Sequence, residues 1–236
     1  MAKKYQLTYK TFFNERLNKL EFGSQFTHPI YLQITYRRST RAFKSAIFDL
    51  VRENSNGSNF DLKALRLTLQ GIERLEVDIT TKIAEELGDT FTFEAYQKRY
   101  NEYTIDLCRL AAPGYTSFLI GYLKKRKLNT IATVISRGLE LQSTYLLIQE
   151  FEKLVRPEVY QDLIKQSLVD APPYIALYGF TQTIKRSNMG LLTIYDWQNP
   201  KNRNAFLQYI EKAFPQSDGL KVIGQINVAI ARLQHS

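Results

Sequence analysis

The hydrophobic period of this chain changes once, and that change constrains the fold more than any other feature. In KYQLTYKTFF (4–13), Tyr5, Leu7 and Tyr9 alternate with polar neighbours, and the pattern resumes at Ile30, Leu32, Ile34 and Tyr36, with Gln33, Thr35 and Arg37 on the opposite face. Alternation of this kind marks half-buried β-strands. RSTR (38–41) reads as the turn and AFKSAIFDL (42–50) as the returning strand, while NERLNKLEFGSQFTH (14–28) reads as a polar connection. Three strands are expected, because a lone hairpin is marginal in water. NSNGSN (54–59) then reads as a linker, its small polar residues carrying no period.

From Asp61 the spacing becomes helical. Leu62, Leu65, Leu69, Ile72, Leu75, Ile79, Ile83 and Leu87 trace one face of a long helix, closed by Gly88. A second helix is expected over 90–112, capped by Thr92, with Glu94 in its first turn and Pro113-Gly114 as its break. Further helices are expected near 115–127, 129–154, 157–169, 173–188, 200–213 and 219–233, the one at 200 opened by Asn199-Pro200. GLLTIYDW (190–197) reads as a short strand or an apolar connection. The fold class is therefore α+β, mostly α: a three-stranded antiparallel sheet over 1–53, a linker over 54–60 and a helical domain over 61–236.

Charge is distributed unevenly within the net +9. Residues 1–60 hold 10 Lys/Arg against 4 Asp/Glu, residues 61–112 hold 7 against 10, and residues 113–236 hold 15 against 9. Two basic ends around an acidic middle point to an anionic partner for the ends. No cationic and apolar signal stretch opens the chain, and no apolar run approaches the roughly 18 residues of a membrane helix, so a soluble cytoplasmic protein without a membrane partner is expected.

Arg37, Arg38, Arg41 and Lys44 cluster at the expected hairpin, and Lys3, Lys4 and Lys10 extend the patch. Lys and Arg that neutralise phosphates supply sequence-independent affinity for nucleic acid, and a two-stranded ribbon fits the major groove. The same cations also serve as a solvated strand edge that resists edge-to-edge pairing. Lys124, Lys125, Arg126 and Lys127 form a second basic run, either a phosphate site or cations complementing a helix C-terminus. Lys185-Arg186 stands under the same two readings. Tyr5, Tyr9 and Tyr36 are candidates for base stacking, set against an ordinary role in the core.

Catalytic chemistry has little to draw on. The single cysteine, Cys108, excludes an intrachain disulfide and a multi-cysteine zinc site, and reads as a small buried hydrophobe. The two histidines, His28 and His235, have no triad or metal partner nearby in sequence. GDTFTF and GYTSF lack the spacing and lysine of a phosphate loop. No enzyme, cofactor or metal is expected.

In order and in short stretches the chain resembles the front half of the tyrosine recombinases (phage integrases) of bacterial mobile elements. HPIYLQITYRRSTRAFKS (28–45) resembles the central and returning strands of their arm-binding sheet, and DTFTFEAYQKRY (89–100) resembles the start of their next conserved helix. SFLIGYLKKRKLNTIATVISRGLELQ (117–142) stands where the core-binding domain would open, so the similarity spans roughly residues 4–142. The family's sTGI stretch is replaced by KSAIFDL, and its His-x-x-Arg is absent, since PIY follows His28 and QS follows His235. Strand cleavage is therefore not implied, and Trp197 and Tyr209 are not assigned catalytic roles. The resemblance implies a non-catalytic DNA-binding accessory or remnant factor, with RNA as an alternative nucleic acid. The competing expectation is a helical protein–protein scaffold whose basic face meets an acidic partner.

Overall fold

Strands β1 (Thr8–Phe13), β4 (Ile30–Tyr36) and β5 (Ser39–Lys44) form an antiparallel sheet in the order β1-β4-β5. The computed structural model describes residues 7–55, 60–138, 144–184 and 189–234. Its contacts divide the chain into two units: 1–105 with 184–195, and 106–183 with 196–236. The sheet thus belongs with the first helices in the first unit, rather than standing apart from the whole helical region. Among the described residues no helix is long and apolar enough to cross a membrane.

Period and register assign the two faces of the sheet. Ile30, Leu32, Ile34 and Tyr36 are buried along β4, and register places Tyr9, Thr11 and Phe13 of β1, and Ser39, Arg41 and Phe43 of β5, on that same face. Helix α2 (Leu62–Leu87) packs beneath β1, where Tyr9 Oη and Thr81 Oγ1 lie 2.6 Å apart and Thr11 Oγ1 donates to Glu73 Oε1 at 3.2 Å. Asp61 caps α2 through the Ala64 amide at 2.6 Å, and Gly88 ends it at φ 48°, before a short 3₁₀ turn. Thr92 then caps α3 (Phe93–Tyr103) through the Ala95 amide at 3.0 Å, as its position suggests. Phe43 meets the ring of Tyr96 on α3, with centroids 5.2 Å apart.

Two boundaries differ from the sequence reading. The return strand stops at Lys44, and Ala46–Asn54 is helix α1. Ser45 switches the conformation: its Oγ accepts from the Phe48 amide at 2.9 Å, and Ile47, Phe48 and Val51 then bury at helical spacing. A short apolar run such as AIFDLV fits either period, so only its packing decides. The connection over 14–28 also holds a ribbon, β2 (Leu20–Phe22) and β3 (Gln25–Thr27), turning at Gly23 with φ 59°. It places the fully buried Phe22 against Phe48 and Phe60, at 5.5 and 5.9 Å.

Glu76 of α2 ties the end of the sheet to three helices. Its Oε1 accepts from Ser45 Oγ, from Tyr100 Oη at 2.8 Å and from the Ile47 amide at 3.3 Å, while Tyr100 Oη accepts from the Ala46 amide at 2.8 Å. The first three amides of α1 are thereby satisfied, groups that a helix start otherwise leaves open. Glu76 Oε2 is buried without a hydrogen-bond partner. Burial pushes the Glu76 carboxyl from 4.5 up to about 7, against the lowering effect of its three donors.

The second unit opens with α4 (Leu107–Lys125), which runs through Pro113 where a break is expected. The break falls earlier: α3 ends at Tyr103, Thr104 Oγ1 donates back to the Tyr100 carbonyl at 2.8 Å, and Asp106 caps α4 through the Cys108 amide at 3.2 Å. Proline removes one helical bond, but Leu107, Ala111, Tyr115, Leu119 and Tyr122 bury along one continuous stripe across it. The expected helix over 129–154 is described as α5 (Asn129–Gly138) and α6 (Thr144–Leu154), with 139–143 outside the described residues. Helices α7 (Pro157–Asp170) and α8 (Tyr174–Thr183) follow. The segment 190–197 leads into α9 (Ile194–Gln198). Asn199 caps α10 (Pro200–Ala213) through the Lys201 amide at 3.0 Å, and α11 (Gly219–Gln234) ends the fold.

Candidate nucleic-acid interface

Strands β4 and β5 are joined by two residues alone, Arg37 and Arg38, closed by the Tyr36–Ser39 pair. Their φ angles are 49° and 65°. A two-residue connection with both residues left-handed is the tight hairpin turn that favours Asn-Gly, because an L-residue with a Cβ costs about 1–2 kcal/mol in that region. Here two arginines occupy both positions. The turn therefore lies at 37–38 rather than 38–41, and Ser39, Thr40 and Arg41 belong to β5. Alternation carries β4 through Tyr36, and the Thr35 and Thr40 hydroxyls, 2.8 Å apart, close the ladder beneath the tip. Nothing in RRST signals such a turn, since neither arginine is a turn residue.

This register sorts the hairpin cations. Arg41 lies on the helix side of the sheet, where its guanidinium pairs with Glu94 at 2.8 Å and covers the Phe93 ring at 4.7 Å. The Glu94 carboxyl is held below its usual range, first by its own backbone amide and then by Arg41. Lys44 points to the outer face but pairs with Asp49 of α1 at 2.6 Å. Arg37 lies 5.1 Å from the Tyr36 ring centroid, and both tip arginines are exposed. Lys10 is exposed on the outer face of β1, opposite Gln33. Lys3, Lys4 and Tyr5 lie outside the described residues.

The outer face of the sheet is polar across all three strands: Thr8 and Lys10 on β1, Gln33 and Thr35 on β4, Thr40 and Lys44 on β5. Its aromatics are Phe12 and Tyr31, with ring centroids 6.0 Å apart. Tyr9 and Tyr36, the stacking candidates from sequence, take the opposite face instead. Counting the alternation outward from Leu32 places Tyr31 on the outer face, a signal the sequence does carry.

The second basic run is a helix ending. The Lys127 amide donates to the Lys124 carbonyl at 3.0 Å and the Leu128 amide to the Leu123 carbonyl at 2.9 Å, the paired bonds of a Schellman motif. Lys127 occupies its left-handed position, at φ 60°, where glycine is usual. Arg126 pairs with Asp162 and stacks over Tyr122 at 5.0 Å, while Tyr122 Oη donates to Asp162 at 2.8 Å. Lys124, Lys125 and Lys127 are exposed. The three described non-glycine residues with positive φ are thus all cations in the two basic clusters.

Other chemistry-bearing groups take structural positions. His28 Nδ1 lies 2.9 Å from the Leu17 carbonyl, and His235 and Lys185-Arg186 lie outside the described residues. Cys108 is buried, and burial pushes its thiol well up. Trp197 is 2% exposed and donates to Asn227 Oδ1 at 2.9 Å, and the Tyr209 hydroxyl sits where a Cβ on Gly179 would be. Among the described residues no group of three or more His, Cys, Asp or Glu is placed to hold a metal.

No protein-family model matches the chain, and neither a curated protein nor a solved structure does.

Proposed function

We propose that the chain is a non-catalytic nucleic-acid-binding protein that sets the outer face of its sheet against a DNA duplex, with the Arg37–Arg38 tip on the phosphate backbone. The observation carrying this reading is that tip: two arginines hold left-handed positions that Asn-Gly would occupy at less cost. Strain retained at an exposed, doubly charged loop favours a role for the charge over a role in folding. Lys10 extends the cationic line, and Gln33 at the centre of the face has the amide that pairs with an adenine edge. Arg41 stands outside the contact set because Glu94 engages it on the other side of the sheet. The likeness of residues 4–142 to the front of tyrosine recombinases favours DNA over RNA, and an accessory role over strand cleavage.

Titration of labelled duplex, single-stranded DNA and RNA across a salt series tests this. Three phosphate contacts, from Lys10, Arg37 and Arg38, imply a log–log salt slope of about −2.7 for duplex DNA. The triple variant K10A/R37A/R38A loses that dependence, and Arg41→Ala retains it. Affinity indifferent to salt, or a triple variant that binds like wild type, overturns the assignment.

A further inference from the structure

We propose that β5 accepts a fourth strand along its free edge, an extended acidic peptide of a partner protein whose alternate side chains enter the groove between β5 and α3. The register shows which backbone groups stand open there. The Ser45 amide donates to the Ile30 carbonyl at 3.0 Å, continuing the ladder that runs from Tyr31–Lys44 to Tyr36–Ser39. Bonded and non-bonded pairs alternate along an antiparallel ladder. Ser39, Arg41 and Phe43 therefore turn their N–H and C=O groups toward β4, and Thr40, Ala42 and Lys44 turn theirs away from it. Among the described residues no strand and no loop amide pairs with that edge, and Thr40, Ala42 and Lys44 are all exposed.

Such an edge is ordinarily guarded by a proline, a bulge or a charge. Strand β5 holds no proline, and its pairing with β4 is unbroken. Its two cations are drawn back onto carboxylates of the same chain, Arg41 onto Glu94 and Lys44 onto Asp49. Beside the edge lies a groove of about 510 Å³, lined by Arg41 and Phe43 of β5 and by Phe93, Glu94 and Lys98 of α3, among others.

An edge strand flanked by such a groove is the setting for strand addition, in which main-chain bonds give affinity and the groove selects alternate side chains. A residue paired with Ala42 shares the outer face, so its two neighbours point into the groove, opposite Arg41 and Phe43. The Phe43 and Phe93 rings, 6.3 Å apart, make an apolar seat for one of them. Arg41 and Lys98 outnumber Glu94 in the groove, and Lys98 is exposed, with no ion pair among the described residues. The other seat therefore takes a carboxylate. A second copy would lay one basic strand against another, and like charges across a ladder disfavour that pairing.

Titration of isotope-labelled protein, without nucleic acid, tests the edge by amide NMR. The probes are the capped peptides Thr-Ile-Thr-Glu-Thr and Thr-Glu-Thr-Ile-Thr, since a free edge accepts a strand in either direction. One of them is expected to give saturable shifts centred on the Thr40, Ala42 and Lys44 amides and to slow their hydrogen exchange. Ala42→Pro keeps the fold, because that amide bonds nothing in β4 and proline is tolerated at an open edge. It weakens binding by about tenfold, the effect of one lost hydrogen bond. Lys98→Glu shifts the preference toward peptides with Lys in place of Glu. No saturable shift with either peptide up to millimolar concentration overturns the proposal, as does binding that Ala42→Pro leaves unchanged. Protection of the edge amides that grows with protein concentration alone assigns the edge to a second copy and overturns it too.

Discussion

Replacing Arg37-Arg38 by Asn-Gly separates backbone strain from charge at the hairpin tip. Both arginines sit at positive φ, 49° and 65°. Each left-handed L-residue costs about 1–2 kcal/mol, and Asn and Gly release most of that. The variant should therefore be more stable than wild type by roughly 1–3 kcal/mol, or several degrees in melting temperature for a chain of this size. Relief of repulsion between adjacent guanidinium groups acts in the same direction, but salt screens it. Urea denaturation at low and at high salt distinguishes the two: a gain that survives high salt belongs to the backbone. The same variant removes two of the three proposed phosphate contacts, so its salt slope on duplex DNA should fall to about −0.9. A protein both stabler and poorer at binding is the expected outcome. Unchanged or lower stability at high salt would refute the strain argument, since Asn-Gly fits the turn that the register requires.

Glu76→Gln should remove a pH-dependent part of stability. The folded-state carboxyl is raised from 4.5 to about 7, so its contribution is fully present below pH 4.5 and is lost as pH rises through 7. The wild type should lose roughly 3 kcal/mol across that window, and the variant, which keeps the acceptor for Ser45, Tyr100 and Ile47, should show a flatter profile in urea unfolding measured at each pH. Lys127→Gly should stabilise the α4–α5 ending by about 1 kcal/mol in thermal unfolding, because the Schellman position then carries no Cβ. If duplex affinity drops as well, the second basic run belongs to the interface.

What the sequence alone determined is local. The helical period that begins at Asp61 marks the long helix α2 because side-chain direction along each element follows from backbone geometry alone. The caps at Thr92 and Asn199 were legible for the same reason: each is a side chain bonding an amide two or three residues away. The alternation over Ile30–Tyr36 likewise marked the outer face on which Gln33 and Thr35 stand. Tertiary structure decided whatever depends on a partner distant in sequence. The turn moved to Arg37-Arg38 because strand pairing closes at Tyr36–Ser39, although the residues themselves disfavour it. Arg41 turned toward Glu94, 53 residues away, because the register that sets Phe43 against Tyr96 puts it on the same face. AIFDLV became a helix because Ser45 and Glu76 bond its first amides, and α4 passed through Pro113 because burial along its stripe outweighs one missing hydrogen bond. A count of cations is readable in one dimension. Which of them face solvent together depends on register and on the carboxylates that folding brings beside them.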